Sequence, residues 1–242
     1  MQQYRKILYQ NYYGTHSGKA NSAEQKAHFK QQSRYFVREF GHLLPSNKSA
    51  SVLDIGCGTG SLLVGLKGIG YTHLRGIDLS PEQVKMGHGF GADMIEEASA
   101  EDVLKEGRKY DVIFAVDLIE HLSKDELVDF LALIKTALNP NGRVIFRTPN
   151  MDAPLTSVFA FADFTHEVFL NKSSAKQIML STGYSEVEIL EGVMFIENPL
   201  KEILRKIAWT FVKLACKLSL YATARTWHEV VFTPNLVIVA KP

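Results

Sequence analysis

From residue 51 onward, short apolar runs alternate with stretches whose apolar positions recur every three to four residues. The runs at 51–54 (SVLD), 74–78 (LRGID), 92–98, 110–116 (YDVIFAV), 143–147 (RVIFR), 186–190 and 236–240 predict seven strands; 110–116 carries the strongest signal and 92–98 the weakest. Helices are predicted over 61–67 and after Ser80, an N-cap followed by Pro81. A further helix is predicted over 124–138, where Leu127, Val128, Leu131, Ile134 and Leu138 keep helical spacing, and another over 173–181, with Gly183 as its C-cap. Asn139-Pro140-Asn141-Gly142 is expected to stop the helix before it. Alternation of this kind predicts an α/β fold with a mainly parallel sheet covered on both faces.

Two regions fall outside the rhythm. Residues 1–45 are polar and partly helical (23–40), ending at Leu44-Pro45; they are expected to form an N-terminal helical lid over a domain at 46–242. Residues 197–229 interrupt the last strand pair. Within them, 200–218 form a divided helix: Leu200, Ile203, Leu204, Ile207, Phe211, Leu214 and Leu218 fall on one side, and Lys201, Arg205, Lys206, Trp209, Lys213 and Lys217 on the other. Such a helix suits an anionic membrane surface; packing on the sheet or on a second copy of the chain, with the basic face solvated, is the alternative.

Composition narrows the classes. With 46% hydrophobic residues, and 27 Lys+Arg against 26 Asp+Glu, the chain is expected to fold and carries no basic excess to suggest nucleic acid as a partner. Two cysteines, Cys57 and Cys216, are too few for a disulfide framework and suggest a reducing compartment. Residues 1–17 lack an apolar core and no uncharged run is long enough to span a bilayer. A cytoplasmic protein is expected, with peripheral contact at the inner face of the membrane if 200–218 binds lipid.

The candidate chemistry begins at Asp54-Ile55-Gly56-Cys57-Gly58-Thr59-Gly60, between the first strand and the first helix. Glycines at 56, 58 and 60 permit positive φ and close approach to a ligand, and the turn feeds a helix N-terminus. The spacing is G-x-G-x-G rather than the dinucleotide G-x-G-x-x-G. Asp54 would repel a pyrophosphate but suits a ligand bearing an ammonium group. Asp78, about 20 residues on at the end of the second strand, is placed to accept ribose hydroxyl protons. Ser99 and Ala100 follow the third strand, where a side chain and an amide can meet an adenine edge.

These residues, with Gly76-Ile77-Asp78-Leu79-Ser80-Pro81-Glu82-Gln83-Val84, Asp117-Leu118-Ile119-Glu120-His121-Leu122, Leu138-Asn139-Pro140-Asn141-Gly142 and Thr148-Pro149-Asn150, resemble the class I S-adenosylmethionine (SAM)-dependent methyltransferases over residues 51 to about 190. Asp163-Phe164-Thr165-His166-Glu167 is most similar to bacterial methyltransferases of cell-surface polysaccharide synthesis; quinone-biosynthesis O-methyltransferases are similar in layout. The resemblance implies a Rossmann-like fold whose seven-stranded sheet ends in an antiparallel last strand, and SAM as cofactor with S-adenosylhomocysteine as product. It implies that Asp54, Gly56, Cys57, Gly58 and Gly60 hold the methionyl part, Asp78 the ribose, Leu79 the adenine face, and Ser99 and Ala100 the adenine edge. Asp117 would lie beneath the methionyl group or face the acceptor. An acid usual at position 99 is missing.

Methyl transfer from a sulfonium demands alignment of the acceptor and, for an aliphatic hydroxyl, a proton acceptor. His121 is expected as the general base, with His166, or Asp163 with it, positioning or sharing the proton. Tyr13 and His16 are candidates on the lid. Metal assistance is not expected: Glu120-His121 alone is a poor site, and no H-E-x-x-H, cysteine pair or carboxylate trio is present. The expected acceptor is a sugar hydroxyl of a surface polysaccharide or its precursor, glycan or lipid-linked. The alternatives are a prenylated quinone or other small molecule, and a non-catalytic SAM-binding module held at the membrane.

Overall fold

The computed structural model describes residues 22–242; the candidates Tyr13 and His16 lie outside them. Helix α1 (Ser22–Phe40) is followed by β1 (Ser51–Ile55), α2 (Ser61–Gly68), β2 (His73–Asp78), α3 (Pro81–Phe90), β3 (Ile95–Glu97), α4 (Ala100–Lys105) and β4 (Tyr110–Val116). Then come a 3-10 turn (Ile119–His121), α5 (Lys124–Ala137), β5 (Leu138–Pro149), α6 (Ser157–Ala160), α7 (Lys172–Ser181), β6 (Ser185–Glu191), α8 (Pro199–Ala222) and β7 (Asn235–Lys241).

The strands form one seven-stranded sheet in the order β3-β2-β1-β4-β5-β7-β6. β1 to β5 pair in parallel, and β7 runs antiparallel between β5 and β6. Side chains alternate across the sheet as strand geometry requires. Val52, Val112, Phe114 and Ile145 cluster with Phe40, Leu63 and Leu66 of α1 and α2. Leu53, Ile113, Val144 and Phe146 cluster with Leu131, Ile134 and Ala175 of α5 and α7. Both faces are therefore buried, which is the doubly wound arrangement expected.

Three expectations change. The third strand is confined to Ile95–Glu97, because the Ala92 amide is drawn back to the Gly87 carbonyl (3.0 Å) to close α3 after the left-handed Gly91. Asn139 to Gly142 does not lie outside the sheet. It opens the twelve-residue strand β5, which pairs Tyr110 with Leu138 and then shifts register. Gly183 sits one residue beyond the C-cap Thr182, with φ +81°, the usual place for a left-handed glycine.

The helical part of the expected lid is docked. Phe29 and Phe40 of α1 are buried. A Cβ built on Gly65 of α2 would lie 2.7 Å from Val37 Cγ2 and 2.8 Å from the Ser33 carbonyl, so a bare glycine is what lets α1 pack so closely.

Candidate active site

The first turn is built on β2. The Gly56 and Cys57 amides donate to the Ile77 carbonyl at 2.9 and 3.0 Å, and Gly60 closes back on the Cys57 carbonyl at 2.9 Å. Gly56, Gly58 and Gly60 all adopt positive φ, and a Cβ at Gly60 would meet Ala92 and Ile95 at 2.9 Å. The turn thus needs glycine both for its dihedrals and for its fit against β3. Cys57 is buried, and a Cβ on Gly76 would meet its sulfur at 2.9 Å, so its side chain packs toward β2. Burial pushes the thiol up, which keeps it neutral.

Asp54 is 2% exposed and its Oδ1 is a buried oxygen without a hydrogen-bond partner among the described residues. Burial, and then the charge of Asp78, raise its carboxyl well above the usual aspartate range. A buried carboxyl at the mouth of a parallel sheet, short of a partner, is a receptor for a cation. Asp78 is bound differently. Its Oδ2 accepts from the Gly58 amide at 2.7 Å and its Oδ1 from the Ser80 amide at 2.8 Å. Burial raises its pKa while those amides oppose the shift.

Leu79 is 66% exposed beside this acid, an apolar surface for a flat ring. Ser99 is committed as the N-cap of α4: its Oγ accepts from the Asp102 amide at 3.1 Å and donates to the Asp102 carboxylate at 2.7 Å. The Ser99 hydroxyl is thus occupied within the helix cap, next to Ala100 at the first position of α4.

The second wall is the turn after β4, which meets the first directly: a Cβ on Gly56 would stand 3.1 Å from Leu118 Cδ1. Asp117 adopts φ +52°, in the left-handed region. Its carboxylate takes two bonds from Arg147 of β5, one of them Nε to Oδ1 at 2.9 Å. Arg147 Nη1 donates to Glu39 of α1 at 2.9 Å, and Glu39 also accepts from the Val193 amide at 3.0 Å. The guanidinium is 5.0 Å from the ring of Phe36 and 5.8 Å from that of Tyr35. Asp117 is thus held by an arginine that ties β4, β5 and α1 together, a group that local sequence pattern does not reveal.

His121 and His166 come together as expected, with ring centroids 4.7 Å apart in an edge-to-face arrangement. The Glu120 carbonyl makes this possible by accepting from the Glu167 and Val168 amides at 2.7 and 3.1 Å, which pins the loop after β5 to the turn after β4. Asp163 reaches His121 through Thr165. Its Oδ1 accepts from both the amide and the hydroxyl of Thr165 (2.8 and 2.7 Å), and the Thr165 oxygen lies 2.7 Å from His121 Nδ1. With the hydroxyl proton directed to the carboxylate, the Thr165 oxygen accepts from His121 Nδ1–H, which leaves Nε2 as the lone-pair nitrogen whenever the ring is neutral. His166 Nδ1 lies 2.7 Å from the Ala160 carbonyl, to which it donates. Thr165, 1% exposed, was not singled out from sequence.

The structure adds a third donor to the Glu120-His121 pair. Glu120, His121 and His166 each place a ligand atom within 4.8 Å of the others, although His166 is far away in the chain. Glu120 is 3% exposed, its Oε2 has no hydrogen-bond partner among the described residues, and burial, then the Asp117 charge, push its carboxyl up to about 8. One carboxylate and two imidazoles are a donor set that suits a divalent cation.

Beside Arg147 two adjoining clefts share Tyr35 and Phe195. One of about 360 Å³ is lined further by His28, Gln31 and Ile196, and one of about 250 Å³ by Met194, Pro234 and Arg205.

Comparison with known proteins agrees with this geometry. A family model described as "Methyltransferase domain" matches residues 28–189, beginning inside α1. A ubiquinone biosynthesis O-methyltransferase of Paraburkholderia phytofirmans is 34% identical over 106 residues, covering 41% of this chain and 44% of that relative. One from Paraburkholderia xenovorans is 28% identical over 187 residues, 69% of this chain and 78% of the relative. The chain therefore spans under half the length of the first relative. Among solved structures, a SAM-dependent methyltransferase from Archaeoglobus fulgidus shares the fold, with a TM-score of 0.59 and 19% identity over 98% of this chain and 99% of the other.

Proposed function

The chain belongs to the methyltransferase-domain family, and from that premise we propose that it moves the methyl group of SAM to an oxygen acceptor, with His121 taking the proton. The observation that carries this reading is the contact of two turns: the glycine turn with Asp54 and Asp78, and the turn bearing His121. Asp54 receives the ammonium of the methionyl part, Asp78 the ribose, and Leu79 the adenine face. The acceptor oxygen attacks the methyl carbon, the carbon–sulfur bond breaks with its electrons going to sulfur, and the acceptor proton passes to His121 Nε2. Asp163, through Thr165, keeps that nitrogen unprotonated and offsets the positive charge that develops on the ring.

The acceptor class that fits best is a prenylated phenol or catechol, the alternative of the two raised by sequence. The relatives' names point that way, and the clefts beside Arg147 share the rings of Tyr35 and Phe195, aromatic faces that suit a prenyl tail. A sugar hydroxyl of a polysaccharide precursor is the other acceptor.

A second reading of the same transfer is favoured by the cluster of Glu120, His121 and His166. A divalent cation held there would lower the pKa of the acceptor hydroxyl as a Lewis acid. The protein would then supply the ligands and orient them through Thr165 and Ala160.

One experiment tests these readings together. Purified protein is incubated with SAM and either a prenylated catechol or a nucleotide sugar, with chelator or with added magnesium or zinc, and S-adenosylhomocysteine is measured. Product with the catechol in chelator supports the histidine base; product only with added metal supports the cation. Product only with the sugar moves the acceptor to the polysaccharide class. Tight SAM uptake without product from either acceptor overturns the enzymatic reading in favour of a binding module.

A further inference from the structure

Helix α8 has 24 residues, none of them buried. Its half-buried positions, Glu202, Arg205, Trp209, Lys213, Cys216, Lys217 and Leu220, recur at helical spacing and mark its more covered side. The apolar side is therefore not packed on the sheet of its own chain. The side turned outward is the apolar one: Leu200 (74%), Ile203 (55%), Leu204 (66%), Ile207 (51%), Phe211 (67%), Leu214 (52%), Leu218 (58%) and Tyr221 (72%) are all exposed. At about 100° per residue these eight fall within a sector of roughly 100°. A continuous stripe of that length exceeds what a soluble surface leaves uncovered.

The charges say what covers it. Lys201 borders one edge of the stripe, and Lys206 and Lys217 the other. The only acid of the helix, Glu202, is already taken by Arg205 at 2.7 Å, with Lys206 3.8 Å away. Lys201, Lys213 and Lys217 form no ion pair among the described residues. A second copy of α8 laid on the first would bring lysine rows against lysine rows with no acid to meet them, which disfavours self-association. An anionic lipid surface accepts both features: apolar side chains enter the acyl boundary while lysines at the edges reach the headgroups. No helix among the described residues is long and apolar enough to cross a membrane, so a bilayer would meet α8 along its surface.

Topology gives the helix its place. β6 runs parallel to β5, α8 follows its carboxyl end, and β7 re-enters with Asn235 opposite Pro149. The helix therefore hangs from the same edge of the sheet as the glycine turn and the histidine loop. That loop exposes Leu155 (78%), Val158 (60%), Phe159 (66%) and Phe161 (62%) at the same edge.

We infer that Pro199–Ala222 is an interfacial anchor that docks the carboxyl edge of the sheet on an anionic bilayer, presenting the crevice to acceptors drawn from the membrane. The docking itself does not depend on the proposed reaction. It is tested by cosedimentation of the whole chain with vesicles of phosphatidylcholine alone or with phosphatidylglycerol, and by sedimentation velocity without lipid. Binding to the phosphatidylglycerol vesicles is expected, weakening with salt. Ile207→Glu/Phe211→Glu should abolish it, and Lys201→Glu/Lys206→Glu/Lys217→Glu should weaken it about tenfold or more. SAM uptake should be unchanged in both variants, which also shows that they fold. No binding to anionic vesicles, or binding unaltered in the apolar-face variant, overturns the inference. A dimer without lipid that Ile207→Glu/Phe211→Glu dissolves would overturn it in favour of a second copy.

Discussion

Asp78 accepts the amide proton of Gly58 at 2.7 Å, so the acid expected to meet the ribose also clamps the turn that receives the methionyl group. Its other oxygen caps Ser80 at 2.8 Å. Replacing it with alanine orphans two amides at once. Asp78→Ala should weaken SAM binding at least about tenfold by calorimetry, and lower unfolding stability by about 1–3 kcal/mol.

Asp54 gives a pH signature. Its native pKa is raised by burial, so between the ordinary aspartate value and that raised value the unfolded chain releases a proton the native state keeps. Stability of the ligand-free protein is greatest below the ordinary value, and falls as pH rises toward the raised one, by at most about 1.4 kcal/mol per unit. Asp54→Asn should flatten that slope in urea titrations and lose SAM binding. Binding of the cationic ligand to the native protein should release a proton, seen as a binding enthalpy that depends on the buffer.

His121→Ala should lower turnover about 10²-fold with SAM affinity retained. Thr165 is a positioning residue. Thr165→Val removes the link from Asp163 to the ring, and should lower kcat with little change in KM and displace the acidic limb of the pH–rate profile. Thr165→Ser, which keeps the hydroxyl, should restore both.

Arg147 is 8% exposed and stands between Glu39 and Asp117. Arg147→Met leaves Glu39, itself 1% exposed, with an uncompensated charge. A loss of about 3–5 kcal/mol is expected in denaturant unfolding. Arg147→Met/Glu39→Gln should recover part of it, which identifies the stranded carboxylate as the cause.

The parts of this molecule legible in its sequence are those whose meaning is local. The seven strands, the glycine turn between β1 and α2, and Asp78 at the end of β2 each follow from a dozen neighbouring residues. The short β3 was harder, because whether Ala92 belongs to a strand depends on the cap that Gly91 makes for α3. What sequence hid was pairing across distance. Glu39 and Arg147 are 108 residues apart and His121 and Thr165 are 44 apart; neither pair leaves a periodic trace. Glu120 looked isolated as a ligand for the same reason. The divided character of α8 is plain from spacing, but that its apolar side is the exposed one follows only from the fold.

The bond from Glu39 to Arg147 reaches from a helix that precedes the first strand to the middle of the sheet. Opening α1 would strand a buried cation and uncover Phe40, so this helix shares its cooperative unit with β4 and β5. Amide hydrogens in the second half of α1 should therefore exchange with solvent only through the same global event that releases those strands, so this stretch of helix would open and close with the sheet itself.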